Sequence, residues 1–234
     1  MKNVLSVMLI MLGMTLIALS EDVTLRKANG EVFVRHGVTE TWTKVAVGDV
    51  LKPDDTMKTG KKGSALLVVN GTKKMMLPAE VIVDVSDIRN LSQEELMLKL
   101  TMEKVRSSSY EWKNNEMNVP NAAVVHGADR TPSVRLTENL LEVGLLEWNG
   151  TKVLFDNGYY STSALKAMDV LRRYPPLGDK FENRLLVAQA LEKANLRGEA
   201  LSEYVSISQS DKLSAEQKEV VATRIAQLRK QSRE

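Results

Sequence analysis

The chain has 234 residues, 43% hydrophobic and 26% charged, which excludes wholesale disorder and a polytopic membrane protein and leaves room for two small domains. Lys plus Arg number 32 against 30 Asp plus Glu, and a net charge of +2 is too weak a field to argue for nucleic acid. With no cysteine, disulfides, thiolate metal sites, a cysteine nucleophile and lipid attachment through an N-terminal cysteine are excluded.

The chain opens with Lys2 and an apolar run from Val4 to Ala18, followed by Ala18-Leu19-Ser20. Small residues flanking one larger residue suit signal peptidase, and the run is short against the roughly 20 residues of a spanning helix. Residues 1–20 therefore read as a secretory signal cleaved between Ser20 and Glu21, with an uncleaved anchor as the alternative. Both place the remainder outside the cytoplasm.

From Val23 to about Val85, short β-branched and aromatic runs alternate with Gly, Asn, Asp or Pro, the pattern of a small all-β unit. The expected strands are Glu31–Arg35, Trp42–Val47, Thr56–Thr59, Ser64–Val69, Lys73–Leu77 and Glu80–Val85. Turns fall at His36-Gly37, Gly48-Asp49, Lys52-Pro53-Asp54-Asp55, Gly60-Lys61-Lys62-Gly63 and Asn70-Gly71, the last a strong hairpin signal. Trp42 is expected in the core of this unit, with Tyr110 and Trp112 as exposed aromatics.

Gly30-Glu31-Val32-Phe33-Val34-Arg35, Trp42, Val47-Gly48-Asp49-Val50-Leu51, Asp55-Thr56-Met57-Lys58-Thr59-Gly60 and Asn70-Gly71 stand in the order of motifs of the FecR domain, which this region resembles. Val119 to Gly127 is similar to that family's later strand, with His126 where arginine is usual. The resemblance implies a β-rich extracytoplasmic module of the bacterial envelope with a protein-binding role, covering residues 21–128. The family's sigma regulators carry a cytoplasmic segment before their membrane helix; only three residues precede the apolar run here, so that architecture is not expected.

Ser92-Gln93-Glu94-Glu95 is a capping box and starts an inserted helix over 93–107. Leu98, Met102 and Val105 are expected to pack on the sheet, leaving Glu103, Lys104 and Arg106 solvated. Residues 129–136 read as a linker, and 137–234 as helical hairpins. Expected helices run from Trp148 through Phe155, Ser163 to Arg173, Phe181 through Leu191, Ala200 through Ile207 (after a turn at Arg197-Gly198) and Ser214 through Leu228. Ala164 and Ala200 stand 36 positions apart, close to the roughly 34-residue tetratricopeptide period, and the segment resembles such an array. Lys152 departs from the small residue usual at its place. Small Ala164, Ala188 and Ala200 let helices approach while Trp148 and Tyr204 fill the gaps. Two repeats and a terminal helix are fewer than the three units a free-standing array needs, so support from the β half or a partner is expected.

The fold class expected is α+β in two domains: a small β sandwich or roll with an inserted helix, then the helical array. His36 and His126 lack a second ligand at metal spacing, Asp54-Asp55 lacks the rest of an EF-hand, and Gly60–Gly63 lacks the phosphate-loop ending. No catalytic, metal or cofactor site is therefore expected. The reading is a non-enzymatic protein-binding or scaffolding module whose partner is an envelope protein. It binds no nucleic acid and meets a membrane only through an uncleaved N-terminal segment. The alternatives are a membrane-anchored sensor and an enzyme subunit acting on glycan or peptide with a carboxylate pair.

Overall fold

A computed structural model describes residues 22–116 and 133–231, with side chains over 22–106 and 140–231. Its strands are β1 (Val23–Asn29), β2 (Val32–His36), β3 (Thr43–Lys44), β4 (Val50–Leu51), β5 (Asp55–Thr59), β6 (Ser64–Val69), β7 (Lys73–Leu77) and β8 (Val81–Asp84). A 3-10 turn, Val85–Asp87, leads to α1 (Gln93–Glu116), α2 (Ser133–Asp156), α3 (Tyr160–Arg173), α4 (Pro175–Gly178), α5 (Phe181–Lys193), α6 (Arg197–Ser208) and α7 (Ala215–Gln231). The fold is thus α+β. The cleavage site at Ser20 and Glu21, the late strand expected at Val119 to Gly127 and linker residues 129–132 lie outside the described residues; residues 133–136, also expected in the linker, form the first turn of α2.

The strands make two antiparallel sheets ordered β4-β1-β6-β7 and β3-β2-β5-β8. Alternation sends Val32 and Val34 of β2, Met57 of β5, Leu25 of β1 and Leu67 of β6 into one shared core. The outward positions carry Arg35 and Lys58, and half-buried Trp42 lies with its ring 5.2 Å from the Arg35 guanidinium and 5.5 Å from the Lys58 ammonium. Trp42 is therefore a residue of the outer face rather than of the core, and its expected strand shrinks to Thr43–Lys44.

The glycines expected at turns serve close approaches between them. Gly30 (φ +67°) presses against the Lys62 backbone, and Gly60 N–H donates to the Glu31 carbonyl at 2.8 Å. Buried Thr59 donates to the Pro78 carbonyl at 2.6 Å and accepts from Val81 N–H at 3.0 Å, fastening the same corner. Gly48 (φ +99°) and Asp49 shape a turn whose backbone bonds Leu25 at 2.8 and 2.9 Å, where β1 bulges between Leu25 and Lys27. Asn70 (φ 51°) and Gly71 (φ 70°) turn the β6–β7 hairpin.

The helical half stacks α2, α3, α5, α6 and α7 in chain order around a second core. Trp148, Ala164, Ala188, Ala200 and Tyr204 are all buried there. Asn195 (φ 63°) makes the α5–α6 turn, so Arg197-Gly198, expected as that turn, instead opens α6. Ser214 accepts from Gln217 N–H at 3.2 Å while Gln217 accepts from Ser214 N–H at 3.0 Å, a reciprocal cap on α7.

Two helices depart from expectation. Ser92 accepts from Glu95 N–H at 3.1 Å and starts α1, but α1 continues to Glu116 and lies on α3 rather than on a sheet. Its inward residues are Leu96, Leu100 and Glu103, while Leu98, Met102 and Val105 face outward. The second departure is α2, which begins at Ser133 and runs unbroken through Gly144 and Asn149-Gly150. Its C-terminal part lies along β8 and touches β7, the edge strands on one side of the two sheets. Val153 and Leu154, with Tyr159 beyond the helix end, complete the β core. Asn149 Nδ2 donates to the Glu80 carbonyl at 2.9 Å, so the helix covers an edge that would otherwise pair with another strand. The helical half thus packs against the β half along this seam.

Candidate functional site

A recess of about 330 Å³ opens where the end of β8 and the 3-10 turn meet α1 and α3. Its floor is ionic. Lys166 of α3, only 14% exposed, reaches Asp84 at 2.5 Å and Asp87 at 3.7 Å, tying the helical half to the end of the sheet. Asp84 also accepts from the Thr56 hydroxyl at 2.7 Å.

The two carboxyls titrate in opposite directions. Burial pushes Asp84 up, but the Lys166 charge and hydrogen bond, with the Thr56 hydroxyl, outweigh it and hold Asp84 below its ordinary range. At Asp87 burial prevails over Lys166, neighbouring Asp84 adds repulsion, and its pKa is pushed up to about 6. Burial also opposes the Lys166 charge, yet Asp87 and Asp84 together raise its pKa.

Asp87 therefore keeps its proton to about pH 6 in the folded protein, while the unfolded chain releases it near 3.8. Stability rises as pH falls from 6 toward 3.8 and is lost as pH rises through 6. Asp87→Asn, which fixes the uncharged form, is expected to raise stability at pH 7.5 by about 2 kcal/mol and Tm by roughly 5 °C. Thermal melts across pH 4.5–7.5 check it: the wild type should gain stability between pH 7.5 and 5, and the variant should not.

The wall on the α1 side carries the shared acid Glu103; Glu95, beside the lining residues Arg89 and Lys99, is not part of it. Glu103, 7% exposed as a residue and not part of a solvated face, is bonded by Arg172 Nε at 2.6 Å and approached by Arg106 at 3.6 Å. Glu95 is bonded by Arg89 at 2.5 Å and approached by Lys99 at 3.9 Å. Leu91, Met102 and Leu165 supply the apolar lining.

The residues expected to matter from sequence lie elsewhere. Gly30, Thr59 and Gly60 converge at one corner of the sheets, Gly48-Asp49 at the β1 bulge and Asn70-Gly71 at a hairpin tip. Exposed His36 meets the buried Asp55 carboxylate at 2.7 Å, a turn contact distant in sequence from the recess. Among the described residues no group of three or more metal-ligating side chains of His, Cys, Asp or Glu stands together, and no helix is long and apolar enough to cross a membrane. Lys166, Asp84 and Asp87 were not singled out in the sequence; a lysine amid Ala164, Leu165, Ala167 and Met168 was the one local hint of a buried cation.

No protein family, curated protein or solved structure matches the chain.

Proposed function

We propose that the chain is a non-enzymatic, extracytoplasmic protein-binding or scaffolding module of the bacterial cell envelope, exported by residues 1–20. On this reading the β unit is a FecR-like domain and the helices are a tetratricopeptide-like array buttressed by it. The observation that carries the reading is the outward face of α1, where Leu98, Met102 and Val105 are 58%, 50% and 59% exposed on one helix. Contiguous apolar surface of this kind marks interaction sites. The interlocked turns at Gly30, Thr59 and Gly60, and the close helix contacts at Ala164, Ala188 and Ala200, support the two domain assignments.

Immobilised protein incubated with envelope extract is expected to retain a partner saturably, with free protein competing. Retention of nothing above background across a range of salt would overturn the reading.

A second reading, an enzyme subunit with a carboxylate pair, draws on the opposite titration of Asp84 and Asp87 inside a recess, a pattern found in acid–base catalysis. Lys166 weighs against it, because an ammonium 2.5 Å from Asp84 stabilises the carboxylate and weakens it as a base. Hydrolysis of isolated cell-wall glycan or of a labelled peptide, lost in Asp87→Asn, would favour this second reading over the first.

A further inference from the structure

We propose that Asn70, at the tip of the β6–β7 hairpin, is a site of self-modification: with water as the only co-reactant, its side-chain amide is converted to aspartate and isoaspartate through attack by the Gly71 backbone nitrogen. The inference goes beyond the protein-binding reading and does not depend on it. In this conversion the glycine nitrogen bonds to the asparagine Cγ and gives up its proton, while the side-chain nitrogen leaves as ammonia. Water then opens the cyclic imide at either carbonyl. The net change is amide plus water to carboxylic acid plus ammonia, with nothing oxidised or reduced. The reaction needs an asparagine amide free to swing onto the backbone and a following nitrogen unshielded by a Cβ, which glycine provides.

The sequence holds four Asn-Gly pairs, at 29–30, 70–71, 149–150 and 157–158, and the fold treats them unequally. Asn149-Gly150 sits inside the hydrogen-bonded ladder of α2, with Asn149 Nδ2 donating to the Glu80 carbonyl at 2.9 Å and β8 pressed against Gly150. At Asn157-Gly158 both reacting groups are committed: Asn157 Nδ2 donates to the Val153 carbonyl at 2.8 Å and Gly158 N–H to the Phe155 carbonyl at 3.0 Å. Asn29 is held opposite Ser64 at the end of β1, and Gly30 lies hard against the Lys62 carbonyl. Asn70-Gly71 differs from all three. Both residues are exposed, the space around Gly71 is open, and neither Asn70 Nδ2 nor Gly71 N–H is hydrogen-bonded. Ring closure must turn Asn70 out of its φ 51° conformation. What resists is the pair of bonds to Asp22, from Asn70 N–H at 2.8 Å and to Asn70 Oδ1 at 3.1 Å, and the turn closure from Thr72 N–H to the Val69 carbonyl at 3.2 Å. All three lie at a hairpin tip beside the start of β1, where local opening costs least. Aspartate can occupy the same turn, but isoaspartate routes the backbone through the side-chain carbon and works against the Val69↔Lys73 register.

The purified protein, aged at mildly alkaline pH, digested and read by mass spectrometry, gives the conversion rate at each pair separately. The same chain aged in urea supplies the reference, since unfolding removes the structural differences between the pairs. For each asparagine the native rate is divided by its rate in urea. The ratio at Asn70 is expected to exceed those at Asn29, Asn149 and Asn157 by about tenfold or more, and the product should split into aspartate and isoaspartate peptides. A margin below about threefold over any of the other pairs would overturn the proposal. So would an Asn70 amide that stays intact in the native protein after the unfolded chain has converted.

Discussion

Lys166→Met is expected to cost about 3–5 kcal/mol at pH 7.5 and to lower Tm by roughly 10 °C. The side chain is 14% exposed and spans two carboxylates, Asp84 at 2.5 Å and Asp87 at 3.7 Å, on the far side of the seam between sheet and helices. Removing it leaves both acids in a partly dehydrated site without an ion-pair partner, with only the field of Arg35 at Asp84 and of Lys99 at Asp87, and an undercompensated buried charge costs more than the intact pair contributes. The sign of the pH dependence follows. Lys166 stabilises through ionised partners, so acidification toward pH 5, which protonates the carboxyls of the variant, should narrow the gap from wild type. The triple variant Lys166→Met, Asp84→Asn, Asp87→Asn separates charge from packing: it should recover most of the loss, because uncharged groups no longer need the ammonium. Thermal and denaturant unfolding of the wild type and both variants at pH 5 and 7.5 measure these differences. A gap below about 1 kcal/mol at pH 7.5 would mean that Lys166 behaves as an exposed ion pair.

The parts of this fold that were legible in the sequence are those where a residue acts on its own neighbourhood. Asn70-Gly71 turns a hairpin because both residues tolerate positive φ, and Ser92 and Ser214 cap helices because their hydroxyls reach an amide three residues on. Burial of Trp148, Ala188 and Tyr204 followed from helical periodicity. Choosing which face of α1 goes inward was another matter. Leu96, Leu100 and Glu103 compete with Leu98, Met102 and Val105 at the same spacing, and the second set is the more apolar. Arg172, 69 residues further on, decides the contest by neutralising Glu103, so a charged position becomes an inward one. The recess was illegible for the same reason: Asp84, Asp87 and Lys166 have no local signature, and their chemistry exists only once α3 is laid across the end of β8.

Length of α2 was underestimated for a complementary reason, and it leads to the second large effect. Gly144 and Asn149-Gly150 are local signals for a break, yet each glycine lies inside the helix because something passes close to it. A Cβ at Gly144 would lie 2.6 Å from the Tyr174 ring, and one at Gly150 would overlap the Ile82 carbonyl oxygen of β8. The neighbour at Gly150 is backbone in an edge strand, fixed on its other side by β5 through the Lys58↔Ile82 pairing. It has little freedom to withdraw. In a solvent-exposed helix, Gly→Ala gains about 1 kcal/mol. Gly150→Ala is expected to do the reverse and cost about 3 kcal/mol or more, since the helix must lift from the strand and draw Val153 and Leu154 out of the β core they complete. Asn149→Ala, which removes only the bond to the Glu80 carbonyl, should cost about 1 kcal/mol. The pair of variants therefore distinguishes close approach from edge hydrogen bonding. Equilibrium unfolding gives the two free energies. Amide exchange along β8 locates the damage: faster exchange in Gly150→Ala at unchanged protection of α6 and α7 would show the seam opening while the far end of the array stays folded. Gly150→Ala at or above wild-type stability would mean that α2 does not bear on the sheet at this point.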